Sequence, residues 1–269
     1  MLERQRHQLL LELLDEQQFA SVADLTTQLN SSEATIRRDL IKLHKEGRLE
    51  KIRGGAQRLQ GAPMPSTKTH ITGSAFLVNK DKATTAKRAI AQRAVQMCDD
   101  GELIIVNGGS STFMMGEFLS QRDVSVLTNS YYLAQYLCDN GQNQVTVPSG
   151  EIYRKQGIIL SPFENDSIQN YRSKLMFTGT AGIGEFGVME TDSLLVRAEQ
   201  KLRKQAEKLV VLADSSKLGH KSNFILYPID EVDVLITDDG ADAQMVESIR
   251  AHGVEVILVP LAQSIAQAV

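Results

Sequence analysis

The chain has 269 residues, of which 42% are hydrophobic and 23% charged, and its formal net charge is -4. These fractions are those of a globular protein and exclude a disordered or fibrous chain, and the length allows two domains. No apolar run approaches the about 20 residues that cross a bilayer, and the N-terminus lacks the apolar segment of a signal peptide. We therefore expect a cytoplasmic protein with no membrane partner.

The chain contains two cysteines, Cys98 and Cys138, which have no paired spacing and no neighbouring cluster of histidines. This pattern favours buried thiols over a disulfide framework or a zinc site. We expect neither a metal nor a cofactor.

The N-terminal segment begins with two patterns typical of amphipathic helices. Leucines at helical spacing predict the first helix: Leu9, Leu10, Leu13 and Leu14. Phe19 is expected to plug the core after the chain leaves this helix. Ser21 is expected to cap a second, shorter helix, whose inward positions are Val22, Leu25 and Leu29.

The third predicted helix, 32–43, has an apolar face and a basic face. Ile36, Leu40 and Leu43 recur at i, i+4 and i+7 and form its inward stripe. Ser32 is a natural N-cap, because its hydroxyl can accept from a backbone amide of the first turn. Taken alone, the pattern fits a surface helix with a solvated charged face as well as it fits a DNA-recognition helix.

The neighbouring segments decide between these two interpretations. Two helices joined to the third by a tight turn at 30–31 fit a helix-turn-helix. After a predicted stop at Gly47, apolar residues flank charged ones and a pair of glycines at 54–55 predicts a two-stranded wing. From 37 to 58 there are eight basic residues against three acidic ones, a local net charge of +5. We therefore predict a winged helix-turn-helix that binds double-stranded DNA.

The residues expected to face DNA are Ser32, Thr35, Arg37, Arg38, Lys42, Lys51 and Arg53. Arg58 is a further basic residue of the predicted wing. Arg37 and Arg38 can contact phosphates or guanine edges, and the sequence does not distinguish the two roles. Asp39 is expected to be structural, either orienting an arginine or holding the wing.

This segment resembles the winged helix-turn-helix of the DeoR family, bacterial regulators of sugar metabolism. The resemblance rests on Arg6, the leucine-rich helix, Ser32, the run Thr35-Ile36-Arg37-Arg38-Asp39-Leu40 and the run Arg53-Gly54-Gly55-Ala56. In that family the threonine and the paired arginines lie on the DNA-facing helix, which implies by resemblance that Thr35, Arg37 and Arg38 meet DNA. Glu33 stands where many members have proline, and both residues suit a first helical turn.

A change in composition follows the wing. From 59 to 80 the chain turns to Gly, Pro, Ser and Thr and shows neither helical nor strand periodicity. We predict a DNA-binding domain at 1–58, a linker at 59–80, and an α/β effector-sensing and oligomerisation domain at 81–269.

The C-terminal segment repeats one theme, in which a short apolar run is followed by small polar residues and then by a helical pattern. The predicted strands are 103–106, 124–127, 145–147, 175–177, 209–213, 232–236 and 254–259. Strands that alternate with helices imply a mostly parallel sheet covered on both faces, a Rossmann-like α/β fold. In such folds ligands bind outside the carboxyl ends of the strands, where this sequence places Gly, Ser, Thr and Asn.

The turns after these strands are the predicted effector site. Any single turn is explained as well by an ordinary βα connection, but 107–112, with two glycines and three hydroxyl residues entering a helix, favours binding of a phosphate or polyol. The residues of these turns predicted to bind the effector are Asn107, Gly108, Gly109, Ser110, Ser111, Thr112, Thr128, Asn129, Ser149, Gly150, Asp214 and Lys217. Lys217 can neutralise a phosphate or can be a surface lysine.

This half of the chain also resembles the DeoR-family effector domain, which is related in fold to ribose-5-phosphate isomerase and the coenzyme A transferases. The matching positions are 87–91, 109–112, 128–129, 149–150, Glu199, Lys201 and 214–217. By resemblance the domain binds a phosphorylated sugar or a related metabolite, and the resemblance implies that Glu199 and Lys201 belong to its effector site. The segments 160–162, 174–178 and 198–201 look most like the branch that regulates L-ascorbate utilisation, which makes L-ascorbate 6-phosphate the first ligand to consider.

Three hypotheses fit the sequence. The first is a repressor of a carbohydrate-utilisation operon, which binds operator DNA as a homodimer or homotetramer and responds to a phosphorylated sugar or sugar acid. The second is an isomerase- or transferase-type enzyme with a DNA-binding appendage, whose acid/base groups would come from Glu199, Asp214 and Asp238. Because no catalytic motif combines these carboxylates, we assign no catalytic residue. In the third, the C-terminal domain only oligomerises the DNA-binding heads.

Overall fold

The computed structural model describes residues 6–7, 10–11, 13–14, 19–29, 31–57, 76, 82–163 and 166–261. The chain divides into two compact units, Met1–Thr69 and His70–Val269. Leu9, Asn30 and Arg58 lie outside the described residues, as does the predicted linker 59–80 except for Phe76. Within the described ranges, no helix is both long and apolar enough to cross a membrane.

The first unit combines helices with a small antiparallel sheet. After helical residues at 6–7, 10–11 and 13–14, its elements are β1 (Phe19–Ser21), α1 (Val22–Gln28), α2 (Glu33–Lys45), β2 (Glu50–Ile52) and β3 (Gly55–Gln57). The strands are ordered β1-β3-β2. This is the predicted helix-turn-helix followed by a wing.

The helices of this unit begin and end where local signals predict. The Ser21 hydroxyl accepts from the Asp24 amide at 3.1 Å, and the Ser32 hydroxyl accepts from the Thr35 amide at 3.3 Å. Beyond the end of α2, Gly47 has a φ of +67°, the left-handed conformation that suits glycine. The predicted apolar positions form one buried cluster, with Leu13 partly buried at its edge: Leu10, Leu14, Val22, Leu25, Leu29, Ile36, Leu40 and Leu43.

Two expectations for the first unit need correction. Phe19 does not plug the core, because it begins β1 and is 48% exposed, while strand alternation turns Ala20 inward. The predicted two-stranded wing is present as β2 and β3, but β1 adds a third strand to it. Gly55 permits this addition, since a Cβ there would lie 2.3 Å from the Ala20 carbonyl oxygen.

The second unit is built from parallel and antiparallel strands. Its strands are β4 (Leu103–Val106), β5 (Ser125–Thr128), β6 (Val145–Thr146), β7 (Glu151–Tyr153), β8 (Ile158–Leu160), β9 (Ser173–Gly179), β10 (Gly182–Gly184), β11 (Gly187–Glu190), β12 (Ala206–Leu212), β13 (Phe224–Tyr227), β14 (Val234–Asp238) and β15 (Glu255–Val259). Its helices are α3 (Thr84–Val95), α4 (Ser110–Phe113), α5 (Met115–Leu119), α6 (Tyr131–Asn140), α7 (Ser193–Arg203) and α8 (Ala243–Ala251).

A parallel sheet of seven strands forms the centre of this unit, in the order β15-β14-β12-β9-β4-β5-β6. Alternate residues of one strand face opposite hydrophobic clusters: in β4, Ile104 and Val106 belong to one cluster and Ile105 to the other. Residues of α3 and α6 complete the first cluster, and residues of α8 the second. The predicted parallel α/β fold, covered on both faces, is confirmed.

The antiparallel strands of the second unit were not expected from the sequence. β7 and β8 form a hairpin, and β10, β11 and β13 form a second small sheet. β10 and β11 are short and rich in glycine, so they lack the apolar alternation that marks a strand. Gly187 begins β11 with a φ of +113°, and a Cβ there would lie 2.1 Å from the Tyr227 carbonyl oxygen. Gly187 therefore allows β11 to approach β13 closely.

The two cysteines lie in different environments. Cys98 is buried as expected, and burial raises the pKa of its thiol to about 12. The expectation for Cys138 is wrong, because it is exposed on α6, which turns Leu133 and Leu137 toward the core.

Candidate functional site

The basic residues of α2 lie on its solvent side. Arg37, Arg38 and Lys42 are exposed, and Thr35 is half-buried. Lys51 on β2 and Arg53 in the following turn are also exposed, as is Ser32 at the start of α2. The predicted DNA-facing side chains therefore remain accessible, Thr35 only in part.

The two arginines of α2 have different surroundings. Arg37 Nε and Nη2 donate to Glu33 Oε1 at 2.9 and 2.5 Å, one turn earlier on the helix. Arg38 makes no hydrogen bond or ion pair with any residue in the described part of the chain. A phosphate or base edge can therefore engage Arg38 without displacing an existing partner. This distinction was not available from the sequence.

Asp39 links α2 to the N-terminal helical residues. It is 3% exposed, its Oδ1 accepts from Arg6 Nη2 at 3.3 Å, and His7 Nε2 lies 3.0 Å from the same oxygen. Burial acts to raise the pKa of Asp39, but the hydrogen bonds and charges of Arg6 and His7 outweigh it and hold the pKa below its ordinary value. The expectation that Asp39 orients an arginine is confirmed, and the arginine is Arg6.

In the second unit a cavity of about 310 Å³ lies at the carboxyl ends of the parallel strands. Residues 107–111 after β4, 179–181 at the end of β9, and 214 and 216–217 after β12 line it. Further lining residues are Lys82, Ala83 and Lys87 near the start of α3, Leu195 and Glu199 on α7, Glu190, Thr191, Phe76, Gln156, Ile158 and His220. In the described ranges, no group of three or more His, Cys, Asp or Glu side chains could hold a metal ion.

The structure brings eight of the predicted effector residues to this cavity: Asn107, Gly108, Gly109, Ser110, Ser111, Glu199, Asp214 and Lys217. They come from turns and a helix that are far apart in the sequence. The convergence follows from the parallel sheet, because the carboxyl ends of its strands share one edge.

The structure does not bring six other predicted residues to the cavity. Three of them shape its turns instead. Thr112 Oγ1 donates to the Asn107 carbonyl oxygen at 2.9 Å, and Asn129 Oδ1 accepts from the Gly108 amide at 2.8 Å. Thr128 Oγ1 accepts from the Ser130 amide at 3.0 Å. All three side chains are buried; those of Thr112 and Asn129 hold backbone that lines the cavity, and that of Thr128 holds the turn after β5.

The other three lie at the β7–β8 hairpin and α7. Ser149 and Gly150 are exposed just before β7, where a Cβ on Gly150 would lie 2.1 Å from the Leu160 carbonyl oxygen. Lys201 Nζ donates to the carbonyl oxygens of Ser161 and Phe163 at 3.1 and 2.7 Å. Gly150 thus serves hairpin packing, and Lys201 holds the segment after β8.

A buried polar network forms one wall of the cavity. Asn107 Nδ2 donates to Thr178 Oγ1 at 2.6 Å and to Glu199 Oε2 at 2.7 Å, and Asn107 Oδ1 accepts from the Gly179 amide at 3.0 Å. Burial and the nearby charge of Glu190 raise the pKa of Glu199 to about 8, against the hydrogen bonds from Asn107 and Thr178. Glu199 therefore remains largely protonated at neutral pH.

Sequence reasoning missed the lysine side of the cavity. Lys87 is 3% exposed, and its Nζ donates to the Lys82 carbonyl oxygen at 2.7 Å. Ala83, between them at the N-cap of α3, has a φ of +49°, a strained conformation for a residue with a Cβ. A signal was present in the sequence, because Lys87 lies on the same face of α3 as Ile90, Ala91 and Ala94.

Two family models match this chain. A DeoR-like helix-turn-helix domain matches residues 6–61, and a DeoR C terminal sensor domain matches residues 82–239. The chain belongs to the DeoR family. This DeoR-family protein is 34% identical over 259 residues to the "HTH-type transcriptional regulator UlaR" of Shigella dysenteriae serotype 1 (strain Sd197), and equally to that of Escherichia coli (strain K12 / DH10B). Both matches cover 96% of this chain and 100% of the relative.

The DeoR-family chain is thus a transcriptional regulator with a DNA-binding domain and a sensor domain. The enzyme alternative is not favoured, because relatives matched over their whole length are named regulators. Among solved structures, the chain is similar to ribose 5-phosphate isomerase A from Methanocaldococcus jannaschii, with a TM-score of 0.37 and 17% identity over 49% of this chain and 52% of that chain.

Proposed function

We propose that this DeoR-family regulator is a cytoplasmic repressor of a carbohydrate-utilisation operon. Its DNA binding is controlled by a phosphorylated sugar or sugar acid held in the cavity of the second unit, with L-ascorbate 6-phosphate the first candidate. The single observation that carries the effector class is a cavity whose lining combines Lys82, Lys87 and Lys217 with residues that carry hydroxyl, amide and carboxyl groups. A phosphorylated polyol presents the complementary groups, an anion and several hydroxyls.

Lys217 is the clearest anion-binding group of the cavity. It is half-buried, and its ammonium makes no hydrogen bond or ion pair with the residues that the structure describes. A partly desolvated ammonium gains most from a charged acceptor, and charge-assisted bonds to phosphate are about twice as strong as neutral ones. Lys82 and Lys87, near the start of α3, add further positive charge to the cavity lining.

The size of the cavity also fits a small metabolite. Its volume of about 310 Å³ lies at the lower end of the usual range for ligand sites. Asp214 and Ser216 provide oxygen atoms for ligand hydroxyls, although the Asp214 carboxylate already accepts from the Ser216 amide at 3.2 Å. The site therefore favours a compact polar anion over a dinucleotide.

The proposed DNA contacts are Ser32, Thr35, Arg37, Arg38, Lys42, Lys51 and Arg53. A single winged helix reads too few base pairs for useful specificity, so we propose a homodimer or homotetramer on paired half-sites. An effector then shifts the balance between DNA-competent and DNA-incompetent arrangements, typically by about 1–3 kcal/mol. Electrophoretic mobility shifts on DNA from its own upstream region, with and without L-ascorbate 6-phosphate, test this function. No binding at low salt would contradict it.

Replacing Arg38 with alanine should weaken operator binding by about 1–3 kcal/mol if the guanidinium reads a base edge, and should reduce the salt slope by about 1 if it contacts a phosphate. The reason is that Arg38 is exposed and has no partner among the described residues. Fluorescence anisotropy on operator DNA at several salt concentrations measures both effects. Arg250→Ala, which removes the same charge from the second unit, is the control. Equal affinities for the two variants would argue against the assignment.

Replacing Lys217 with glutamine should weaken effector binding at least tenfold, because the cavity loses an ammonium that pairs with the ligand anion. Thermal shift with L-ascorbate 6-phosphate and a panel of sugar phosphates measures this loss. A ligand at 100 times its Kd raises the free energy of unfolding of the wild type by about 2.7 kcal/mol. Lys208→Gln is the matched control, because Lys208 is exposed on β12 away from the cavity lining. A flat response of the wild type across the panel would favour a purely oligomerising second unit.

A further inference from the structure

The two carboxyl oxygens of Glu199 differ in their hydrogen bonds to the protein. Its Oε2 accepts from Asn107 Nδ2 at 2.7 Å and from Thr178 Oγ1 at 3.4 Å. Its Oε1 has no hydrogen-bond partner among the described residues, although the residue is only 1% exposed. Glu199 also lines the cavity, so a ligand there can supply the partner that Oε1 lacks among the described residues.

Charged and titratable groups surround this carboxyl from several elements. β11 contributes Glu190, whose negative charge opposes ionisation of Glu199. Tyr227 of β13 interacts with Glu199, since burial and the charge of Glu199 raise the pKa of the Tyr227 hydroxyl. Arg203 of α7 acts on Tyr227 in the opposite direction. The other titratable residues that line the cavity are Lys82, Lys87, Asp214, Lys217 and His220. Of these groups, Glu190 makes ionisation of the Glu199 carboxyl unfavourable.

The hydrogen bonds decide which oxygen carries the proton. Oε2 accepts from Asn107 Nδ2 at 2.7 Å, and an oxygen that carries the acid proton is a poorer acceptor for such a bond. The proton therefore belongs on Oε1, the oxygen without a protein partner. With burial and Glu190 raising its pKa to about 8, Glu199 at neutral pH presents an O–H donor to the cavity.

We propose that Glu199 is a specificity-determining residue that binds the effector as a neutral acid, donating its Oε1 hydrogen to an anionic oxygen of the ligand. The inference rests on the proposed function, since it names how the effector cavity recognises its ligand. An anionic ligand then keeps the proton on Glu199. At pH values at which Glu199 of the free protein is partly ionised, binding is therefore coupled to proton uptake. A ligand that donated a hydroxyl to Glu199 would instead release the proton.

Glu199→Gln separates these cases. The glutamine carbonyl can take the place of Oε2 and accept from Asn107 and Thr178, while its NH₂ group takes the place of Oε1 and remains a permanent donor. The variant should therefore bind the anion but lose the proton coupling. Glu190→Gln is the second variant. It removes a negative charge near Glu199 and so makes ionisation of Glu199 easier. The pH at which affinity begins to fall should therefore be lower than in the wild type.

The experiment is isothermal titration calorimetry of the full chain with L-ascorbate 6-phosphate and with inorganic phosphate, between about pH 6 and pH 10 in buffers of different ionisation enthalpy. For the wild type we expect proton uptake near pH 8 and, above it, a Kd that rises about tenfold per pH unit relative to Glu199→Gln. His220→Gln should leave this pH break in place, which excludes the imidazole as its source.

The outcomes distinguish the inference from the proposed function. Binding with the same pH profile in wild type and Glu199→Gln, or binding with proton release, would overturn the role of Glu199 and leave the effector cavity standing. Failure of both anions to bind at any pH would overturn the inference together with the proposed effector class. If Glu199→Gln does not fold, the profile of Glu190→Gln decides, and an unshifted break overturns the inference.

Discussion

Asp39→Ala is expected to lower the free energy of unfolding of the first unit by about 3–5 kcal/mol, the usual cost of removing one partner from a buried ion pair. Asp39 is 3% exposed, and it pairs with Arg6 and His7 across 33 and 32 residues of sequence. The variant leaves these two side chains without their shared carboxylate, and it removes the polar link between α2 and the N-terminal helical residues, whose apolar contacts remain. Operator binding should fall with the stability, because α2 carries most of the residues proposed to contact DNA.

Chemical unfolding followed by circular dichroism, together with anisotropy on operator DNA, measures both losses. Glu33→Ala is the control, because its ion pair with Arg37 is exposed on both sides and contributes no more than about 1 kcal/mol. The pH dependence has a definite sign. Since the pKa of Asp39 is lowered in the folded state, its contribution is present above the ordinary value of 3.8 and is lost as the pH falls further. An Asp39→Ala variant as stable as Glu33→Ala would contradict this account.

Glu199→Gln is expected to stabilise the second unit increasingly as the pH rises from about 4.5 to about 8, by up to about 1.4 kcal/mol per pH unit. In the unfolded chain the Glu199 carboxyl ionises near its ordinary value of 4.5, whereas in the fold it keeps its proton to about 8. The unfolded state therefore binds fewer protons over this interval, and the stability of the wild type falls with pH. Glutamine has no such dependence.

The measurement is the free energy of unfolding of both proteins at several pH values within and above this interval. The difference should grow up to about pH 8 and stay constant beyond it, because Glu199 is then ionised in both states. Glu207→Gln, an exposed carboxylate on β12, should show little pH-dependent difference from the wild type. A difference independent of pH would mean that Glu199 is ionised in the folded protein.

Local signals in the sequence predicted most elements of the fold. Ser21 and Ser32 cap their helices, and Ile36, Leu40 and Leu43 form the buried stripe of α2. The parallel strands were likewise predictable, because a strand buried on both faces is a continuous apolar run. Phe19 was misplaced because an apolar residue between helices fits a plug as well as an edge strand, and only the pairing with β3 decides.

The candidate sites divide in the same way. By itself the sequence determined the amphipathic helix that we propose faces DNA and the turn at 107–112, because helical periodicity and runs of glycine and hydroxyl residues are local patterns. Only the tertiary structure decided which of these groups share the cavity, and that Lys201 points to Ser161 instead. It also decided the ionisation of Glu199, because burial and the charge of Glu190 raise its pKa, while the hydrogen bond from Asn107, 92 residues away, opposes them. Burial and pairing arise from contacts between residues distant in the chain, and no local pattern encodes them.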